Sequence, residues 1–474
     1  MGKISIIFII SLFFVCNTSY SIEKTNVAIN TEVIIKKNVR KGVSSTNLCW
    51  LLDSDLNRPN SNRSMKSAIK DMGAGSLRFP YGHLADNYLW DVNLGKGEKL
   101  LPKIAADSTQ PANWEWAVNS DGGFKRAMDF DEYMKLCDDL DIVPLVVVNA
   151  LSYKYKNGPT VEELIESAKA WVQYAKSKNY KVGYWQIGNE VDHHGKIISK
   201  REYVDVYKKI AKAMKGVDQS IKVGPGILSK VDYFNLIIEE APELIDFTSC
   251  HQYMWAHKDS CATYEDWLNI KRTFIPNVKK MQNAVRSSGK NMDIVITETG
   301  ITGSGLKYNN VFAGLWWFQV LMEEIQTPNV AYSYFWGTHS PWNGEYDTDD
   351  DIGVLFRIDD NSPKTIAGVS KLVNENLCSN IIQSHSDNDR VLSFAYLDDK
   401  KSVGTVFILN KSGRNEDIRI SFDNFKDKDV DITGLYSDSP YEKEFKNIIP
   451  QKNRIDNNKL ELSVPSYSIT IINF

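Results

Sequence analysis

From Lys41 to Lys364 the chain repeats one unit: a short apolar run, then a stretch whose apolar residues return every three or four positions. The runs "AGSLRFP", "DIVPLVVVNA", "KVGYWQIGNE", "IKVGPGI", "LIDFTSCHQY", "MDIVITETG" and "VAYSYFWGTH" have the texture of strands buried on both faces. Between them "FDEYMKLCDDLD", "VEELIESAKAWVQYAKSKN", "REYVDVYKKIAKAMKGVD" and "NVFAGLWWFQVLMEEIQ" carry the helical period, with one side to pack. Strand and helix in alternation call for parallel strands joined by helical crossovers. With "KGVSSTNLCW" as the first strand, the series reaches the number that closes a (β/α)8 TIM barrel, and we assign residues 41–365 to it.

After Pro363 the texture changes to alternating strands separated by Asn, Asp, Gly and Lys turns: "VLSFAYL", "SVGTVFILN", "EDIRISFD", "DVDITGLY" and "LELSVPSYSITIINF". This is the pattern of an antiparallel β-sandwich, placed at residues 366–474. "VAINTEVIIKKN" has the same texture, so residues 22–40 are expected to lend that sandwich a strand before the barrel begins. Ahead of it, Lys3 and the apolar run from Ile4 to Cys16 lead into a polar segment with Ser19 and Ser21. The run is too short to span a bilayer and suits a cleaved secretory signal over residues 1–21. A secreted or periplasmic protein is expected. A lipid-modified Cys16 is the lesser alternative, because Val15 stands where a small residue should precede it.

The 60 acidic and 56 basic residues nearly cancel, so no global field draws the chain to nucleic acid or to an anionic membrane. A neutral partner fits better, and the 12 Trp and 22 Tyr supply the flat amphipathic surface that sugar clefts use, although most will be core. Beyond the leader, Cys49, Cys137, Cys250, Cys261 and Cys378 show neither paired nor zinc-type spacing. Cys250 and Cys261 could pair, but buried thiols are the simpler expectation. Neither metal nor cofactor is called for.

In such barrels the chemistry sits at the C-terminal ends of the strands. Here they end on Arg78, Asn149, Asn189-Glu190, His251 with Tyr253, Glu298 and Trp336. A charge at the mouth of an apolar strand costs several kcal/mol unless it is satisfied or used. Two carboxylates, on the fourth and seventh strands, would converge across the mouth, which is what glycoside hydrolysis with retention needs. Asn189 would sit near a sugar 2-hydroxyl, His251 and Tyr253 would orient Glu298, and Arg78 would hold it ionised. Asn149 has a second reading as a cap for the segment that follows.

These residues resemble the clan A retaining glycoside hydrolases, in which Asn-Glu closes strand four and a second Glu closes strand seven. Within the clan the chain is most similar to the α-L-arabinofuranosidase family. "SLRFPYGHLADNYLW" resembles its Arg-x-Pro-Gly-Gly segment followed by Tyr-x-Trp, and "FDEYMKLCDDLDIVPLVVVNA", "DQSIKVGPG" and "DFTSCHQY" follow in the expected order. The resemblance spans roughly Gly42 to Trp336. It implies Glu190 as acid/base, Glu298 as nucleophile, and Arg78, Asn149, Asn189, His251, Tyr253 and Trp336 around the cleaved sugar. Two departures bear on the substrate: Tyr81 replaces the first of two glycines and is expected to intrude on the floor of the subsite, and Thr299 stands where a large ring follows the nucleophile. Agarase, β-glucuronidase or xylosidase activity, endo-acting, is the alternative within the clan, and a non-catalytic carbohydrate-binding protein the alternative outside it. Trp50, Trp90, Trp255 and Trp342 are candidates for further sugar contacts. His193 and His194 diverge too much for a metal pair, and the acidic run Glu345 to Asp351 reads as a solvated rim.

Overall fold

Eight parallel strands build the first sheet: Ser44–Asn47, Ser76–Phe79, Val143–Val148, Tyr184–Ile187, Val223–Pro225, Phe247–Trp255, Asp293–Thr302 and Val330–Phe335. Strand one pairs with two and with eight, and each remaining strand lies beside its neighbour in sequence. The ring closes between strands five and six, where the Asp246 amide donates to Val223 O at 2.8 Å and the Ser249 hydroxyl to Pro225 O at 2.7 Å. All eight fall on the runs the sequence marks as strands. The computed structural model describes residues 24–58, 60–90, 103–104, 127–156, 158–193, 197–255, 263–270, 275–302, 309–339, 354–423 and 425–474.

The near-continuous hydrophobicity of the strands has a direct cause, since both faces are covered. Leu145, Val147, Tyr184, Phe247, Val295, Tyr332 and Tyr334 fill the barrel interior. Their sequence neighbours Val146, Val148, Trp185 and Ile296 point outward under the helices. Several of those helices begin on side-chain caps: Ser64, Thr160, Ser199 and Asn310 each accept a backbone N–H of the first turn, an arrangement worth about 1 kcal/mol apiece. Helix Val311–Gln326 departs from the expected one-sided packing. It is buried almost all round because its far face meets the second domain, where Phe318 packs on Phe394 and Phe407.

That second domain is one long sheet curled around its own core of Val27, Ile382, Ile408, Ile420, Ile432, Ile455 and Ile472. The N-terminal strand Thr25–Lys36 lies within it, antiparallel to Asn380–Ser386 and parallel to Glu416–Asp423. The sandwich is therefore antiparallel with one parallel exception, which arises because a strand from before the barrel is inserted among strands from after it. Lys411 of the sandwich lies 4.2 Å over the Trp267 ring, on helix Tyr264–Leu268 that follows barrel strand six. The second domain thus packs against the short helix that follows barrel strand six.

Candidate active site

Two local backbone irregularities aim the carboxylates. Strand seven carries a bulge: Ile296 pairs with Cys250 and Glu298 with His251, so Thr297 is the extra residue. Bulges of this kind re-aim a side chain beside a site, and here Glu298 turns inward. After strand four, Gly188 (φ 75°) and Glu190 (φ 45°) both adopt left-handed backbone. A non-glycine residue pays about 1–3 kcal/mol for that conformation, a cost typical of functional turns.

The two acids meet. One oxygen of Glu190, one oxygen of Glu298 and a ring nitrogen of His251 all lie within 4.8 Å of one another. Inverting enzymes hold their carboxyl groups about 6.5–9.5 Å apart to admit a water, whereas retaining ones hold them about 5–5.5 Å apart. The arrangement is the retaining one. Glu298 is held from both sides, with Arg78 Nη1 donating to Oε1 at 3.0 Å and the Tyr253 hydroxyl to Oε2 at 2.8 Å. Arg78, fully buried, also donates to Asn189 Oδ1 at 2.6 Å, Asn47 Oδ1 at 2.7 Å and Gln186 Oε1 at 3.3 Å. It ties strands one, two, four and seven into one constellation.

Protonation follows from these partners. Burial pushes Glu190 up to about 7; His193 and Arg78 oppose that and Asp192 adds to it. Burial also pushes Glu298 up, and Glu190 adds to the push, against the pull of His251, Arg78 and the Tyr253 hydroxyl. Among the described residues Glu298 has a guanidinium and a phenol as direct donors, while Glu190 has the imidazole, so Glu298 ionises first and Glu190 keeps its proton. Burial drives His251 down to about 4, so its ring is neutral at ordinary pH. Nδ1 lies 2.8 Å from Glu190 Oε1 and 3.3 Å from Glu298 Oε2, whereas Nε2 is buried without a hydrogen-bond partner among the described residues. The proton therefore sits on Nδ1, between the two carboxylates.

Arg78, Asn189, Glu190, His251, Tyr253, Glu298 and Trp336 come together, the last with its ring 6.3 Å from that of Tyr253. Gly82 explains its own identity here: a Cβ at that position would lie 2.5 Å from Glu298 Oε1 and 2.8 Å from the Trp336 ring. Asn149 does a different job from the subsite role the resemblance implies. Its Nδ2 donates to Asp86 O and Tyr88 O, and its Oδ1 accepts from the Leu151 and Ser152 amides, so backbone groups engage the whole amide. Asn149→Ala is expected to lower the unfolding free energy by about 2–3 kcal/mol. A urea titration should show this as an earlier midpoint at unchanged slope.

Tyr81 also corrects its expectation. It is fully buried, its ring 4.7 Å from Trp336 and its hydroxyl donating to His339 O at 2.9 Å, so it supports the platform and does not occupy the floor. Thr299 is turned away as well, donating to Gln252 O at 2.9 Å. Trp50 and Trp90 belong to a buried aromatic cluster with Tyr88 and Trp171 and are not open sugar contacts. The Trp255 side chain, Trp342, His194, Cys261, the run Glu345 to Asp351, the stretch from Asp91 to Val118 apart from Lys103 and Ile104, and the leader lie outside the described residues. Sequence reasoning missed Asn47 and Gln186. Asn47 carried the same signal as Asn149, a polar residue closing a strand, and Gln186 was visible as the polar residue inside an otherwise apolar strand.

A family model described as "Alpha-L-arabinofuranosidase 1 domain" matches residues 68–272, a segment that includes Glu190 and stops short of Glu298. "Probable alpha-L-arabinofuranosidase C" of Aspergillus fumigatus is 24% identical over 273 residues, covering 50% of this chain and 47% of that protein. The chain is related to the α-L-arabinofuranosidases. An "Intracellular exo-alpha-L-arabinofuranosidase" of Bacteroides ovatus is 26% identical over 220 residues, 42% of this chain and 38% of that one. The chain thus spans about half the length, or less, of the curated relatives it matches. Among solved structures, the α-L-arabinofuranosidase of Thermotoga maritima in complex with arabinose superposes with a TM-score of 0.70 at 14% identity. It covers 95% of this chain and 99% of its own. A family 44 endoglucanase of Clostridium thermocellum gives 0.65 at 14% identity, covering 95% and 100%. Barrel and sandwich together are therefore a shared architecture.

Proposed function

We propose that the chain is a retaining glycoside hydrolase of the α-L-arabinofuranosidase type, acting on plant or algal oligo- or polysaccharide by double displacement. The observation that carries this reading is the meeting of Glu190 and Glu298 within 4.8 Å, each on a different strand end. Glu298, as carboxylate, attacks the anomeric carbon while Glu190 gives its proton to the departing oxygen, leaving a glycosyl ester on Glu298. Glu190, now ionised, takes a proton from water, which attacks the same carbon and releases Glu298. Arg78 turns the Asn189 carbonyl oxygen toward itself, which leaves the amide NH2 as the donor for a sugar 2-hydroxyl. The family match and the names of the relatives support arabinofuranosides as the substrate class.

The test is hydrolysis of nitrophenyl glycosides beside arabinan, agarose and xylan, with the anomer of the first-formed product read by NMR. Release from the α-L-arabinofuranoside with retention supports the proposal. Turnover of only pyranosides or agarose would move the chain to another clan A activity. Because the acid must be protonated, kcat/KM is expected to fall as pH rises through about 7, the value to which burial lifts Glu190. On the acid side it falls as Glu298 takes up a proton. An alkaline limb far above neutrality would assign the general acid to another group.

Export is proposed as well, supported by Lys3 and the apolar run from Ile4 to Cys16. N-terminal sequencing of the expressed protein tests it: a chain that starts near Ile22 supports cleavage, and one that starts at Met1 in the exported fraction opposes it.

A further inference from the structure

Buried acids at this end of the barrel differ in how they are satisfied. Asp192 accepts three backbone amides, from Leu228, Ser229 and Lys230, at 2.7–2.8 Å. Asp53 meets His339 Nδ1 at 2.6 Å, and its other oxygen accepts from the Cys49 amide and the Thr338 hydroxyl. Asp86 has nothing of the kind. It is 0% exposed and, among the described residues, neither carboxyl oxygen makes a hydrogen bond of good geometry. An unsatisfied buried carboxyl costs several kcal/mol that an apolar side chain of the same size would not.

Its surroundings are those of the reacting pair. The charges of Arg78, Glu190 and Glu298 and the backbone amide of Asn189 act on its carboxyl, and His83 Nδ1 stands 3.9 Å from Oδ2. Its main chain is held in place, because Asn149 Nδ2 donates to the backbone carbonyls of Asp86 and Tyr88. The turn it faces is the left-handed one that carries Glu190. We infer that Asp86 is a further positioning residue of this site: its carboxyl, carried on a main chain that Asn149 holds, supports the Asn189-Glu190 turn from the buried side and so sets the aim of the acid/base. It does so un-ionised. Burial raises its pKa well above the usual carboxylate range, Arg78 opposes that, and the charges of Glu190 and Glu298 reinforce it. A neutral Asp86 leaves the charge of Arg78 to Glu298, whereas an anion there would compete for it.

The consequence for turnover rests on the glycosidase reading, and the test separates the two. The infrared difference spectrum of the native protein minus Asp86→Asn at neutral pH should show a protonated carboxyl band that the variant lacks, with no substrate involved. On any glycoside the native chain accepts, Asp86→Asn should keep kcat within about threefold with the alkaline limb unmoved, and Asp86→Leu should lose about tenfold in kcat at little-changed KM. If Asp86→Leu does not fold, Asp86→Ser takes its place. The inference is overturned by absence of the band, by a limb that moves to lower pH in Asp86→Asn, or by Asp86→Leu turning over at the native rate. A protein that hydrolyses no glycoside yet shows the band sinks the glycosidase reading and leaves the buried acid standing.

Discussion

Glu298→Gln is expected to abolish turnover on every glycoside the native chain accepts, lowering kcat by about ten-thousand-fold or more, equivalent to about 5.5 kcal/mol of barrier. The substitution keeps the volume of the side chain and an acceptor for Arg78 Nη1, and Arg78 retains Asn47, Asn189 and Gln186 as partners. The site should therefore stay assembled while losing its nucleophile. Binding should survive, so a substrate dissociation constant from calorimetry should change far less than kcat. Intact-mass spectrometry gives a second readout: an activated 2-fluoro glycoside should add one sugar to the native chain, on the peptide that holds Glu298, and none to the variant. Native-rate turnover by the variant would give the nucleophile's role to another residue and remove the basis for a double displacement.

What the sequence revealed about this site, and what it withheld, divides along physical lines. The strands were legible because burial on both faces writes itself as unbroken hydrophobicity, and a polar residue closing such a run stands out. Glu190, Glu298, Arg78 and His251 were found that way. The bulge at Thr297 was not legible, because an inserted residue changes the pairing partner without changing composition. Asn149 shows the opposite limit. A strand-end amide looks the same in sequence whether it faces a ligand or holds backbone, and only its four hydrogen bonds tell the two apart. Tyr81 was misread for a related reason: its φ of 119° sends the chain, and the ring with it, behind Trp336. The all-round apolar helix Val311–Gln326 was readable as a helix, but its second buried face depends on Phe394 and Phe407, more than 60 residues further along the chain. Asp86 carried no signal, since one acid in "GHLADNYLW" is unremarkable until both of its oxygens are seen to be buried.

Glu190→Ala should divide substrates by leaving group in a way that no merely structural defect reproduces. For a sugar leaving group, which needs the proton, kcat/KM is expected to fall by about a thousandfold, within the range of about 10²–10⁴ that general acid catalysis supplies. For a nitrophenolate, which departs without protonation, attack by Glu298 proceeds at a rate close to native and the glycosyl ester accumulates, because the base that activates water is gone. The expected signature is a burst of nitrophenol followed by a slow steady state. Azide, a nucleophile that needs no base, should restore the steady state and yield a glycosyl azide of the substrate's own anomeric configuration, since Glu298 still shields the opposite face. Glu190 suits this experiment because its side chain is 19% exposed, against 3% for Glu298, so the space left by the substitution opens to solvent and admits the anion. The alkaline limb near pH 7 should disappear from kcat/KM on the aryl substrate, because the group whose burial places it there has been removed. If azide fails to rescue, or if aryl and sugar leaving groups suffer equally, Glu190 is holding the site together and the proton comes from elsewhere.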